Sequence, residues 1–412
     1  MNNRLKAWRD PGLLLGSLGI ASIGDFIYLV AINLLVYQMT GSATAVAGLW
    51  IIGPLTNIVT KFWTGSFIDY RSKRSVIMVT YVLRATFILM IPFAPNMVAI
   101  YTVLVLLSVA KSFFGPASVT YVTMVVPIEK RKRFNALRSF TSSSAFIVGP
   151  AVGGALIFLT SIDTTLWLNS AFFLIAAILL LFLPENEHVD KKMIPALTSA
   201  QVMSDFTVVV QFVLKNKYVA FVYLGFIATM LFSFAMDAQE VVFTQQVIGM
   251  TEVEYSLLIS ITGIGSVIGA ALLSLFSSRL SLRYMIVVGL MMMTTGYVIY
   301  AFSWSFLSIA VGFTILGFFN VFLNAGIMTF YQNNVPVKVM GRVTSIFQLI
   351  QSVFQVVFIL AIGITADLMS LRLTIVTLAL IMLISAFVFS FAVMNKRYID
   401  FYKEEPEQMK AS

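Results

Sequence analysis

Six ionisable side chains lie inside apolar runs of this chain, and they set the chemistry it can do. Asp25, Arg84 and Lys111 fall near the midpoints of three such runs. Asp237 and Glu240 fall in a fourth, and their spacing puts both carboxylates on one face of a continuous helix. Lys61 falls near the end of a fifth. A charge at a bilayer centre costs at least about 2.5–3.5 kcal/mol, so such groups face a cavity and pair. A carboxylate in apolar surroundings suits reversible protonation. Asp25 is therefore the first candidate proton carrier. Lys111, drawn to it, would couple protonation to movement. Asp237 and Glu240 are a second candidate proton or cation site, since adjoining carboxylates can share one proton. Arg84 reads as an intramembrane charge anchor. Lys61 is expected to snorkel along its aliphatic stem to the nearer surface.

Other chemistries lack their residues. There is no cysteine, which removes disulfides, thiolate metal sites and thiol nucleophiles. The single histidine, His188, sits in a polar stretch and reads as a solvated loop residue. No G-x-x-x-x-G-K-[ST] phosphate loop occurs. The expectation is no metal, no cofactor and no enzyme, with a proton gradient as the energy source.

The elements that hold these charges follow from composition. Of 412 residues, 59% are hydrophobic and 11% charged, against roughly 25% charged in a soluble domain. Apolar runs between polar breaks predict twelve transmembrane helices, an all-α membrane protein, because lipid cannot satisfy open backbone groups. The spans run approximately over 12–37, 43–65, 74–95, 97–121, 137–159, 163–183, 218–246, 253–277, 283–301, 304–329, 343–366 and 371–394. The first run follows Arg4, Lys6 and Arg9 as a signal peptide would, but it continues past Tyr37 and carries Asp25, so it reads as span 1. With both termini placed in the cytoplasm, Arg372 alone of the 27 Lys and Arg falls on the far side, while Lys61, Arg84 and Lys111 lie within spans. The net charge of +9 is thus a topology signal facing anionic inner-leaflet lipid, not a nucleic-acid footprint.

The spans divide into a six-helix half over 1–183, a cytoplasmic linker over 184–217, a second six-helix half over 218–395 and a cytoplasmic tail over 396–412. The linker's later part, about 198–214, suits a membrane-surface helix with Val208, Phe212 and Val213 toward lipid. Two such halves suggest an internal-repeat transporter. The 36 Phe, 15 Tyr and 21 Met suit a pocket for bulky apolar molecules. Its candidate lining residues are Tyr28, Met230, Phe234, Asn320, Asn324, Gln348, Gln351 and Gln355. Gly149-Pro150-Ala151-Val152-Gly153-Gly154 is expected to interrupt span 5, and Gly263, Gly265 and Gly269 to thin span 8.

Several of these stretches carry a family resemblance. The run Gly65 to Arg74 (GSFIDYRSKR) resembles the G-x-x-x-D-R-x-G-R-[RK] signature of the major facilitator superfamily, with Gly65, Asp69, Lys73 and Arg74 in place. Tyr70 and Ser72 depart from it, and Arg71 stands one place beyond the expected Arg. The resemblance implies the major facilitator fold and a cytoplasmic latch formed by Gly65, Asp69, Arg71, Lys73 and Arg74. Gly149, Pro150, Gly153 and Gly154 resemble the span-5 signature of antiporters. YQMTGSATAVA from Tyr37, FFGPA from Phe113, Val126-Pro127 with Asn135, and VPVKVMGRVTS from Val335 are similar to the drug:proton antiporter branch containing macrolide-efflux-type proteins. That branch carries an Arg in span 4, a role in which Lys111 stands here. The implied function is proton-coupled export of an amphipathic, drug- or macrolide-like small molecule by alternating access, through a cavity lined by spans 1, 4, 7 and 10. The implied setting is a bacterial plasma membrane, with a monomeric protein meeting protons, substrate and lipid. The alternatives are export of a siderophore or lipid-like metabolite, import of a sugar or peptide, and a lipid-handling or sensor protein that transports nothing.

Overall fold

The computed structural model describes residues 3–40, 43–185, 199–250, 252–368 and 370–403. His188 lies outside them. The described residues form an all-α protein: α1 (Asn3–Thr40), α2 (Ala43–Asp69), α3 (Lys73–Met90), α4 (Met97–Val125), α5 (Ile128–Leu159), α6 (Ile162–Leu181), α7 (Ser199–Lys215), α8 (Lys217–Ala238), α9 (Glu240–Val242), α10 (Glu252–Phe276), α11 (Leu282–Ala301), α12 (Phe306–Asn334), α13 (Val337–Leu368) and α14 (Leu371–Met394). Among the described residues eleven helices are long and apolar enough to cross a membrane, and α2 is not one of the eleven.

Helix starts are written in the short polar breaks. Ser72, Asn96, Ser161, Ser281, Ser305 and Ser370 each accept a bond from a first-turn backbone N–H, capping α3, α4, α6, α11, α12 and α14. Three starts fall well earlier than hydropathy indicates, that of α1 at Asn3 rather than 12 among them. α5 begins at Ile128 rather than 137, and α13 at Val337 rather than 343. In both, a Val-Pro pair ends the preceding segment, and the proline carbonyl accepts the first bond: Pro127 from Lys130 at 2.9 Å and Pro336 from Val339 at 3.1 Å. A proline loses nothing there, because the first N–H groups of a helix have no intrahelical partner. The basic residues Lys130 to Arg133, Lys338 and Arg342 therefore ride on helices and not in loops.

Span 5 is not interrupted: α5 runs through Gly149 and Pro150 without a break, as membrane helices can when neighbours accommodate the proline. Span 7 is broken instead. α8 stops at Ala238, Gln239 forms a turn, and α9 passes into a π-helical turn over Phe243–Val247. Gly249 closes this irregular stretch at φ +82°, a left-handed conformation that suits glycine. Asp237 and Glu240 accordingly lie on either side of a break and not on one continuous helix.

The chain clusters into two compact units. The first comprises Met1–Val126, Ser144–Leu214 and Pro336–Ser352, and the second Pro127–Ser143, Lys215–Val335 and Val353–Ser412. In the first, α6 packs on α1 and α3, and α4 packs on α2 and α3. In the second, α12 packs on α10 and α11, and α14 on α8 and α11. Small residues let these helices meet backbone to backbone: a Cβ on Gly296 of α11 would lie 2.7 Å from the Gly312 carbonyl of α12. Gly265 and Gly269 thin α10 where it meets Thr314 and Phe318 of α12.

The later part of the linker is a helix, α7, but with another face inward. Asp205 and Phe212 are buried, Val209 with them, and Phe206 packs on Phe62 of α2 with ring centroids 6.0 Å apart. Phe212 thus faces the protein and not lipid. The periodicity is that of an amphipathic helix, and the ion pair of Asp205 with Arg342 decides which side turns in.

Candidate functional site

In the first unit the site is built around Asp25 on α1. Gly24 faces α6, where an added Cβ would lie 3.1 Å from Asn169 Oδ1 and 3.2 Å from Phe173 Cε2. Gly149 and Gly153 bring α5 onto the neighbouring turns of α1. A Cβ at Gly149 would lie 2.5 Å from Phe26 Cβ, and one at Gly153 would lie 3.3 Å from Ile27 Cα. The GPAVGG run thus fixes the helix that carries the carboxylate. Gly149→Leu is expected to cost about 1–3 kcal/mol by overpacking and to lower the melting temperature, while Gly154→Leu, which meets open space, leaves it unchanged. Thermal unfolding of the two purified variants checks this.

Asp25 Oδ1 accepts hydrogen bonds from Arg84 Nη2 on α3 and from Lys111 Nζ on α4, the latter at 3.2 Å. The two cations differ. Arg84 is 1% exposed, and its guanidinium carbon stands 4.1 Å over the Phe173 ring, a cation–π contact that fixes it. Lys111 is 55% exposed on a flexible stem. Asp25 is thus not a lone carboxylate: it is shared by one fixed and one free cation. Tyr28, one turn along α1, lies within electrostatic reach of both Asp25 and Arg84.

Lys61 does not snorkel. It is 4% exposed and donates from Nζ to the Ser112 carbonyl of α4 at 2.5 Å. Beside it, Thr64 donates to Ser345 of α13 at 3.0 Å. A backbone acceptor inside the unit competes with the surface for the amine. A buried amine held by one carbonyl gives little net stabilisation, so Lys61→Met is expected to keep or raise the melting temperature; a clear fall in thermal unfolding would contradict this.

At the end of α2 the latch residues meet α13. Asp69 Oδ1 accepts from the Gly341 backbone N–H at 2.8 Å, and Oδ2 from the Arg342 N–H at 3.2 Å and Arg342 Nε at 2.7 Å. Gly65 permits the approach, since its Cβ would lie 2.7 Å from Arg342 Cα. Arg342 also pairs with Asp205 of α7 at 3.4 Å. Lys73 donates to the Asp69 carbonyl at 3.1 Å, and Arg71 to the Phe67 carbonyl at 3.2 Å with its guanidinium over that ring. Arg74 bonds the Leu183 carbonyl at 2.7 Å and Glu185 at 2.5 Å. Ser72, Ser75 and Arg74 donate to Glu185, and these bonds hold its carboxyl below the usual range. Sequence reasoning misses Arg342 and Asp205. The Gly341-Arg342 pair at the head of a helix, opposite an acidic signature, is the signal for the first.

In the second unit Asp237 accepts from Tyr297 of α11 at 2.8 Å, and Glu240 accepts from Tyr255 of α10. Lys132 of α5 donates to the Leu280 carbonyl at 2.6 Å, and Asn135 to Thr329 and Gln332 of α12 at 3.0 and 2.8 Å. Met230 is buried and Phe234 half-buried. Asn324 bonds back to Asn320 Oδ1 on its own helix at 2.6 Å. In the first unit, to which the start of α13 belongs, Gln348 faces Gly115 of α4; Gln351 and Gln355 are half-buried on α13.

Comparison with known proteins places this architecture. Residues 14–357 match the Major Facilitator Superfamily. The chain is similar to the uncharacterized MFS-type transporter YfiS of Bacillus subtilis (strain 168), 26% identical over 192 residues, covering 46% of each chain. It is similar to the multidrug efflux pump Tap of Mycobacterium tuberculosis (strain ATCC 25618 / H37Rv), 30% identical over 180 residues, 40% of this chain and 42% of that one. The matched stretches span less than half the length of these relatives. Among solved structures, the human organic anion transporter MFSD10 (TETRAN) aligns with a TM-score of 0.76 at 14% identity, over 93% of this chain and 99% of that one.

Proposed function

The chain belongs to the Major Facilitator Superfamily, and from that premise we propose that it is a secondary active exporter of amphipathic, drug-like small molecules, driven by inward proton flow. Twelve spans in two six-helix halves, both termini in the cytoplasm and a bacterial plasma membrane complete this reading. The single observation that carries it is Asp25 held by Arg84 and Lys111 within the membrane-spanning part of the first unit. A carboxylate shared by two cations can exchange one of them for a proton. Arg84 is pinned by burial and by Phe173, so the exposed Lys111 is the partner that leaves. Protonating Asp25 frees Lys111, and deprotonating it draws Lys111 back. Each proton is thereby converted into a movement of α4 relative to α1, the coupling that an antiporter requires. The similarity to a protein named a multidrug efflux pump supports export.

The test is uptake of fluorescent dyes and antibiotics into inverted membrane vesicles carrying the protein. Accumulation that starts with an imposed pH gradient and collapses with nigericin is the expected result. Absence of uptake for every compound of a broad amphipathic panel contradicts the proposal.

A further inference from the structure

The break after α8 gathers a second polar cluster that the proton-coupling scheme leaves unused. Asp237 sits exposed near the end of α8, and Glu240 opens α9. Tyr297 donates to Asp237 at 2.8 Å, and Tyr255 donates to Glu240. Tyr300, 1% exposed, lies within electrostatic reach of both carboxylates and of Tyr255. Two polar atoms in this cluster are buried with no partner: Glu240 Oε1 and the Tyr300 hydroxyl. No ion pair reaches either carboxylate among the described residues. The nearby Arg372 is engaged elsewhere, standing 3.5 Å over the Trp304 ring and donating to the Ser303 carbonyl. The backbone here is a helix break followed by a π-turn, a distortion that frequently marks functional sites.

We propose that this cluster binds a positively charged amine, the ammonium group of the exported compound, between Glu240 and Tyr300. Two carboxylates without a basic partner ask for a cation. The two orphaned atoms both take a hydrogen bond from an N–H donor, which an ammonium supplies in the right number. The walls are aromatic: Tyr300 stacks edge-on to Phe243 at 4.9 Å and lies 5.5 Å from Phe313, surfaces that hold a desolvated cation and its apolar body. Calcium or magnesium fits poorly, since these ions take six or more oxygen ligands, and no group of three acidic or imidazole side chains occurs among the described residues. Asp237, at the exposed edge, is the entry carboxylate, and Glu240 the inner one. The inference rests on the exporter reading and names its substrate class.

The experiment measures binding to the full chain in nanodiscs with 2-(1-naphthyl)ethylammonium and its neutral isostere 2-(1-naphthyl)ethanol, by calorimetry. The wild type is expected to bind the ammonium and not the alcohol. Glu240→Gln is expected to weaken ammonium binding about ten-fold or more, and Tyr300→Phe by a smaller factor. Equal binding of ammonium and alcohol, no binding of the ammonium to the wild type, unchanged affinity in both variants, or competition by sodium but not by n-butylammonium each overturns the proposal. Asp25→Asn separates it from the exporter reading. That variant is expected to bind the ammonium normally while losing gradient-driven transport. Gradient-driven export without ammonium binding sinks this inference alone, and ammonium binding without export of any compound sinks the exporter reading alone.

Discussion

Asp25→Asn abolishes pH-gradient-driven export and leaves gradient-free exchange of substrate across the same membrane. The asparagine keeps an acceptor for Arg84, so the buried guanidinium is not orphaned and the fold survives. What it loses is the negative charge that pulls Lys111 back and the group that takes the proton. Binding and reorientation then no longer depend on protonation, and a pH gradient has nothing to act on. The contrast with Asp25→Ala sharpens the point. Alanine leaves Arg84, 1% exposed, with no counter-charge, and breaking a buried pair in this way costs about 3–5 kcal/mol. Export measured in proteoliposomes, alongside thermal unfolding, checks both. Asparagine is expected to be stable and uncoupled, and alanine unstable. Lys111→Gln, at an exposed position, is expected to be stable and to show weakened coupling.

The second large effect falls at the latch. Asp69→Ala removes an acceptor of two backbone N–H groups in the second turn of α13 and of the Arg342 side chain. A carboxylate that accepts two backbone N–H groups and a guanidinium at once is held by charge-assisted bonds, which are shorter and stronger than neutral ones. The loss costs about 3 kcal/mol or more and lowers the melting temperature. Charge reversal distinguishes this arrangement from an ordinary salt bridge. Asp69→Arg combined with Arg342→Asp restores the ion pair but presents a cation to the Gly341 and residue-342 N–H groups. The double variant is therefore expected to be no more stable than Asp69→Ala. Recovery of wild-type stability in the double variant would show that the side-chain pair alone matters. Gly341→Ala is expected to be as damaging, because its added Cβ runs into the Asp69 carboxylate.

Much of the fold is legible because apolar runs and Ser or Asn caps report directly on helices. What hydropathy misses is where a helix leaves the lipid. The first turns of α5 and α13 carry Lys130 to Arg133, Lys338 and Arg342, so they read as loops, and only the repeated Val-Pro pair announces them. The site is legible in its members and in one of its pairings, Asp25 with Lys111, but not in the other. Asp25 and Arg84 lie far apart in the chain, and nothing in their local sequence ties them. That contact depends on α6 carrying Phe173 beneath the guanidinium. The segment Asp237-Ala238-Gln239-Glu240 holds neither Pro nor Gly, so its break leaves no compositional mark. Lys61 departs from the snorkelling expectation because that rule weighs the surface against lipid and ignores the Ser112 carbonyl within the unit.

The most direct measurement is proton release on substrate binding. Purified protein in weakly buffered detergent solution receives a compound carried in the vesicle panel, and the pH change is recorded for wild type and Asp25→Asn. The account predicts that the wild type exchanges protons with solution as the compound binds and that Asp25→Asn exchanges none while still binding it. Equal proton exchange by the two proteins would contradict it and place the carrier elsewhere.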